Sequence, residues 1–500
     1  LTPSAGGEAS AVGHVLIDAE QAMEISEDLV RTVVQQILTQ MGAPATVPGT
    51  NGRGAESFGG GSDGVFSSVD AAVAAASEAF EHFRKRGLDA RRAAVSEIKR
   101  ICYEQAEELG RAELDETQIG RLDHKIAKLK EAIPAVPGVE YLRTGADAGD
   151  LGLTLTEAAP FGVIVAITPV THSLPTLASN AISMLAAGNT VVFNAHPSGA
   201  RIAAEGVRRF NRAIRAATGI DNLVTIVDPP TLESAQGLFD HRDVELIVVT
   251  GGPAVARAAL RAKKRAIVAG PGNPPVVVDG TACLASAAQS IVLGASWDNN
   301  LLCIGEKQVF AVSEIFDKLM ETMARSGGFR LTPSQIEALT RAAFKTGEDG
   351  KPHVNKDLIG KDPHVLAQTA GVSIPSGTQL LFGETGADHP FVQQEQMMPF
   401  LPCVRVANVE RAIELAKQSE HGFGHTAVLH SRDLAVIQKM GRAMDCTIFV
   451  VNGACIAGLG SGGEGVGSFS IAGPTGEGVT TPLSFTRQRR VSVVKGMRIL

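Results

Sequence analysis

Large rings are scarce in this 500-residue chain, which has one Trp, two Tyr and only 4% aromatic residues in all. Glycine, by contrast, is plentiful at 54. That pairing fits an α/β protein with many tight strand-to-helix turns. Basic excess is missing too: 46 Lys and Arg against 53 Asp and Glu leave a net charge of −7, so nothing recommends nucleic acid or an anionic membrane as a partner. No apolar run reaches the length of a membrane span, and no apolar run with a cleavage site opens the chain. Six cysteines (102, 283, 303, 403, 446 and 455) occur without CxxC pairs, and the twelve histidines show no paired Cys/His spacing. This excludes a disulfide frame and a zinc-type site, and it suits reduced thiols in a cytoplasmic setting.

Five hundred residues exceed what one core can organise, so two or three domains are expected. Residues 25–41 carry Leu29, Val30, Val33, Val34, Ile37, Leu38 and Met41 at spacings of three and four, which predicts a short amphipathic helix. A Gly/Pro/Ser-rich linker follows, to about residue 65. A lone helix on a linker must fold back or lay its apolar stripe on another protein, and the linker favours docking. From Ser68 to about Ala135 the pattern is helical, and residues 138–158 read as an extended or hairpin stretch.

Strand candidates then alternate with helical stretches: 161–168, 190–194, 223–227, 244–250, 265–269 and 275–279. Buried β-branched runs joined by helices mean a parallel sheet covered on both faces, with ligands beyond its carboxyl ends. The strand ending in Thr250-Gly251-Gly252-Pro253 before an Ala-rich helix is a nucleotide-site candidate, although a plain tight turn reads equally well without a strict G-x-G-x-x-G. A second α/β region runs from Thr281 to about Thr480, and the basic tail Ser484–Leu500 reads as an edge strand. Within the second region the segment S-W-D-N-N-L-L-C-I-G-E-K (296–307) sets Cys303 between a polar run and Gly305. A cysteine so placed serves as a nucleophile if its surroundings favour the thiolate; otherwise it is a small buried hydrophobe.

Seven motifs arrive in a fixed order: P-F-G-V-I-V-A-I-T-P, L-A-A-G-N-T-V-V-F, V-T-G-G-P-A-V-A, A-G-P-G-N-P-P, the cysteine segment, E-Q-M-M-P and T-G-E-G. Together they resemble the aldehyde dehydrogenase superfamily over residues 66 to 500. More narrowly, they resemble its coenzyme A-acylating branch, the propionaldehyde and acetaldehyde dehydrogenases of bacterial microcompartments. The resemblance implies an α/β fold with a Rossmann-type cofactor domain (66–138 and 158–276), an α/β catalytic domain (277–480) and a small β oligomerisation extension (139–157 and 481–500). It makes Cys303 the nucleophile and sets Gly251 and Gly252 against the cofactor pyrophosphate. Glu395 falls at the nicotinamide ribose, and Asn194 and His196 fall beside the adenosine ribose. Thr168, Pro169, Ala269 and Gly270 are further cofactor-site positions. NAD and coenzyme A are the implied cofactors, and a homo-oligomer in the microcompartment lumen is the implied setting. Residues 25–41 become an address for a shell or core protein.

Two departures sharpen the expectation. Hydrolytic members of the superfamily carry an oxyanion asparagine where this chain has Thr171-His172, so either residue could donate to the substrate oxygen beside the Cys303 N–H. Hydrolytic members also carry a glutamate that activates water where this chain has Ala269. A thioester on Cys303 without that base awaits a thiol such as coenzyme A, which attacks unaided. Glu306 reads as an acid or base, or as a structural hydrogen-bond partner. The expected reaction takes a short aliphatic aldehyde (propionaldehyde, acetaldehyde or lactaldehyde) to acyl-CoA. A hydrolytic aldehyde dehydrogenase, an acyl-phosphate reductase and a non-enzymatic microcompartment core component are the other readings.

Overall fold

The computed structural model describes residues 63–347 and 352–496; the helix expected at 25–41 and its linker lie outside them. In chain order the protein opens with β1 (Val65–Phe66) and the helices α1 (Val69–Phe83), α2 (Gly87–Glu104), α3 (Ala106–Thr117) and α4 (Leu122–Ala127). One π turn, Lys128–Ala132, continues α4. A hairpin follows, β2 (Gly145–Gly149) and β3 (Gly152–Pro160). Then come β4 (Val163–Thr168), α5 (Ser173–Ala186), β5 (Thr190–Ala195), α6 (Ala200–Thr218), β6 (Val224–Val227), α7 (Leu232–Asp240), β7 (Val244–Thr250), α8 (Pro253–Arg261) and β8 (Ala266–Ala269). The second half holds β9 (Pro275–Val278), α9 (Leu284–Ser296), β10 (Gln308–Val312), β11 (Gly328–Arg330), β12 (Leu380–Glu384), β13 (Phe400–Val406), β14 (Thr426–His430) and β15 (Ile448–Val451), and β16 (Thr486–Val494) closes it.

The first sheet is parallel with order β1-β6-β5-β4-β7-β8. Alternation within β4 explains why it is covered twice. Val163, Val165 and Ile167 pack with α1, α7 and α8, whereas Ile164 and Ala166 pack with α2, α5 and α6. A strand apolar on both faces has no solvent side, which is why its sequence shows no polar alternation. The second sheet is also parallel, with order β11-β12-β13-β10-β9-β14-β15. Its inner strand β9 was expected to continue the first series. It pairs instead with β10 and β14, so the change of sheet falls in the Gly-Pro turn before it. A short β-branched run carries no mark of which sheet it will join. The third sheet is antiparallel, β2-β3-β16, with β16 matched to β3 along its nine residues. It exposes Leu151, Val491, Val493 and Val494. No helix among the described residues is long and apolar enough to cross a membrane.

One side chain ties these parts. Asn189 is fully buried, and its Oδ1 accepts from the N–H groups of Phe161 (2.7 Å) and Gly162 (3.1 Å). Its Nδ2 donates to the carbonyls of Met184 (3.2 Å) and Phe485 (2.9 Å). The amide thus joins the entry to β4, the end of α5 and the segment before β16. Replacing it by Ala would strand buried partners at several points, at a cost of about 3 kcal/mol. Asn189→Ala is expected to lower the urea midpoint accordingly while leaving the secondary structure seen by circular dichroism intact.

Candidate active site

The strand order of the first sheet reverses between β4 and β7, and the carboxyl-end crevice at such a reversal is where a dinucleotide fits. The residues expected to bind cofactor gather at that end. Thr168 closes β4, and its buried Oγ1 has no hydrogen-bond partner among the described residues. Pro169 follows it. Asn194 lies in the last turn of β5, its Oδ1 accepting from Ser234 Oγ at 2.7 Å, and the His196 N–H reaches back to the Thr168 carbonyl at 3.0 Å. Gly251 and Gly252 lead into α8, and a Cβ added at Gly252 would meet nothing within 4 Å. The N–H groups at that helix start can therefore approach an anion closely. Ala269 closes β8, with Gly270 next to it against Pro474. An orphan hydroxyl, an open glycine turn and a free helix N-terminus suit the pyrophosphate and ribose of NAD.

Cys303 is placed by a strained loop. Asp298, Asn299 and Asn300 occupy three successive left-handed conformations, with φ of 49°, 55° and 65°. Asn and Asp tolerate that region best among residues with a Cβ, yet each pays for it and needs holding. The Asp298 N–H donates to His124 Nδ1 (2.8 Å), and its carboxylate accepts from the Arg121 N–H (2.8 Å) and pairs with Lys128. Asn299 Nδ2 donates to the Gly360 carbonyl (3.0 Å) and to Asp362 (2.9 Å). Asn300 Nδ2 donates to the Ala295 and Glu306 carbonyls at 2.8 and 2.9 Å. Lys307 closes the loop from the far side, its Nζ donating to Asn300 O (2.7 Å), Asn300 Oδ1 (2.7 Å) and Leu302 O (3.0 Å). The polar run before the cysteine is thus a set of buried anchors.

Glu306 faces away from the thiol. Its Oε1 accepts from the Cys455 N–H at 2.8 Å, and its carboxyl packs on Gly294 of α9. Burial pushes its pKa up to about 7. Its place is structural.

Cys303 lines a cavity of ≈ 300 Å³ walled mainly by apolar side chains, among them Trp297, Leu302, Ile456, Leu459 and Phe469. His172 and Lys128 line it too, whereas Thr171 does not; its carbonyl accepts from Lys125 Nζ at 3.1 Å. Burial pushes the Cys303 thiol up to about 12, with Glu395 adding to the rise and Lys307 opposing it. Glu395 is itself raised by burial, against Lys307 and a hydrogen bond from the Gly272 backbone. Gly272 passes so close that a Cβ there would lie 2.6 Å from the Cys303 carbonyl oxygen. The structure therefore brings Cys303, Glu395 and the Gly272 turn together on one side and His172 on the other. Ala269 does not line the cavity.

The family model described as "Aldehyde dehydrogenase family" matches residues 46–327. The chain belongs to that family. Acetaldehyde dehydrogenase (acetylating) EutE of Salmonella typhimurium is 46% identical over 439 residues, 87% of this chain and 94% of that one. A crystal structure of Rhodopseudomonas palustris propionaldehyde dehydrogenase, with bound CoA and an acylated cysteine, superposes with a TM-score of 0.85 at 42% identity, covering 88% of this chain and 100% of that one. A propionaldehyde dehydrogenase from the Clostridium phytofermentans fucose utilisation bacterial microcompartment gives a TM-score of 0.85 at 40% identity, covering 87% and 100%.

Several residues that build the site of this aldehyde dehydrogenase carried no signal in the sequence. Lys125 and Lys128 look like ordinary charges on an amphipathic helix, and Lys307 follows Glu306 as if the two paired on the surface. Their spacing of three sets Lys125 and Lys128 on one face, but nothing in the pattern says that this face turns inward.

The raised thiol predicts how the resting protein reacts. Iodoacetamide labelling of the Cys303 peptide, read by mass spectrometry, should climb about tenfold per pH unit from pH 7 to pH 9 without a plateau. Cys283 is exposed and its thiol is lowered, chiefly by the Ser286 N–H, so it should label first. A plateau for Cys303 below pH 8 would contradict the burial argument.

Proposed function

We propose that this enzyme oxidises a short aliphatic aldehyde to its coenzyme A thioester, with NAD as oxidant, through a thioester on Cys303. The observation that carries the reading is a cavity thiol with Ala269 in place of a water-activating carboxylate, in a chain whose relatives are named for acetylating and CoA-propanoylating activity. The apolar walls suit a short alkyl chain, which gains from leaving water.

Bound NAD supplies the hydride acceptor and bound coenzyme A supplies the thiol that receives the acyl group. Thr168, Pro169, Asn194, His196, Gly251, Gly252, Ala269, Gly270 and Glu395 are the residues that would hold the dinucleotide. Cys303 gives up its proton to water and its sulfur adds to the carbonyl carbon, the π pair moving onto oxygen. The Cys303 N–H and His172 meet that oxygen as donors. The pair then returns, the carbon's C–H bond breaks with its electrons, and the acyl group stays on sulfur. No group of the chain stands at position 269 to take a proton from water, so the thioester persists until a thiol attacks it.

We also assign residues 25–41 to docking on a microcompartment shell or core protein, and the β2-β3-β16 sheet to contact between copies of the chain. The amphipathic pattern with its linker, the exposed valines of β16 and the microcompartment source of one relative support these assignments.

Cys303→Ala is expected to abolish NADH formation from propionaldehyde and coenzyme A, and the wild type without coenzyme A should run at least about a hundredfold slower. Equal turnover with and without coenzyme A would point to hydrolysis. Removing residues 1–55 is expected to leave kcat and KM unchanged within twofold while co-purification with shells is lost. Shell association that survives the deletion would remove the docking assignment.

A further inference from the structure

From His172 on the cavity wall runs a buried polar chain whose other members the chemistry above does not use. Lys128, on the π turn after α4, directs its Nζ to Asp298 of the nucleophile loop and to Nδ1 of His172, 2.7 Å away. All three side chains are buried. A second pair backs the first. Lys125 Nζ meets Glu113 at 3.3 Å, and Glu113 Oε1 also accepts from the Ser173 N–H at 3.0 Å. With the Thr171 carbonyl on Lys125, residues 171–173 are held at three successive points from one side.

The donor inventory decides what this does to the imidazole. An ammonium has protons and no lone pair, so the Nδ1 facing it must be the acceptor, and the single proton of the neutral ring sits on Nε2. The ring stays neutral because burial, Lys128, Lys125 and Lys307 all hold it well below its usual range. Burial lowers Lys128 only to about 8, with Asp298 and Glu113 opposing, so it remains an ammonium at neutral pH. His172 also hydrogen-bonds to the backbone of Leu301, two residues ahead of Cys303, which places the ring at the nucleophile's end of the cavity. Without the lysine only the Leu301 carbonyl, which takes a ring N–H, would bear on where the proton sits. In the wrong tautomer a lone pair would face the developing oxyanion.

We propose that Lys128 is a positioning residue that fixes His172 as the neutral Nε2–H tautomer, so that the ring meets the reacting oxygen as a donor and never as a base. The identity of that oxygen rests on the proposed aldehyde oxidation; the tautomer belongs to the resting protein. Because Asp298 anchors both Lys128 and the nucleophile loop, donor and nucleophile are set by the same ion pair.

Two measurements test this on the full chain. In resting protein labelled with ¹⁵N-histidine, the His172 signals, assigned by their loss in H172A, should show a protonated Nε2 and a bare Nδ1. In K128M they should shift toward the Nδ1–H form. A protonated Nδ1 in the wild type would overturn the proposal without reference to activity. In steady state, K128M should lower kcat about thirtyfold with the aldehyde KM within about threefold, and the same change made in H172A should alter kcat by less than about twofold. Equal losses in both backgrounds would make Lys128 merely structural and sink the idea. If K128M does not unfold cooperatively, K128M/D298N removes both buried charges together and gives the same two readings. Absence of acyl-CoA formation by the wild type would instead count against the function, and the spectra would still decide the tautomer.

Discussion

Three left-handed residues in a row are an expensive way to turn a chain, and the placement of Cys303 depends on holding Asp298, Asn299 and Asn300 there. No single bond could do it. The loop is gripped from α4 through His124, from the π turn after it through Lys128, from the segment around Gly360, and from the residue before β10, Lys307. Trp297 adds a stacked contact with His124 at 4.5 Å. Buried charges are seldom worth their desolvation as stability alone, but they enforce one geometry because an unpaired partner is so costly. Here the enforced geometry is that of the nucleophile.

Much of the fold could be read from the residues, and the reasons are specific. The β-branched runs of β4, β5 and β7 show no alternation, which only a doubly covered parallel strand permits. The Gly-Gly-Pro turn after Thr250 announces a helix start at a strand end. Cys303 was legible because its neighbours are a motif. The rest was not legible, because it depends on directions that a linear pattern does not carry. Glu306 lies three residues from Cys303, yet its carboxyl turns to Cys455 and α9. Thr171 and His172 were equal candidates until the Lys125 contact fixed the peptide between them and left His172 on the cavity wall. The membership of β9 in the second sheet is likewise a matter of where the Gly270–Pro274 turn points, which composition cannot say.

The electrostatics of the site favour restraint over readiness. Burial keeps the thiol protonated, and Glu395 across the Gly272 turn reinforces that. A thiol in this state is a poor target for stray electrophiles and oxidants, since the thiolate is the reactive form. Reactivity then has to be drawn out when the cavity fills. Lys307 is the group suited to favour it, because its charge acts on both Cys303 and Glu395.

Asn189 spans 296 residues to reach the Phe485 carbonyl, and the Phe485 ring is fully buried in the core around α2, α5 and α6. On the ribosome the strands of the first sheet emerge long before residue 485 does. Their core must wait, with one of the four Asn189 bonds unmade and one hole unfilled, until residue 485 has been made. The core of the first sheet is therefore completed by a residue far along the polypeptide, and a chain cut short before that point would leave unfinished what was synthesised first.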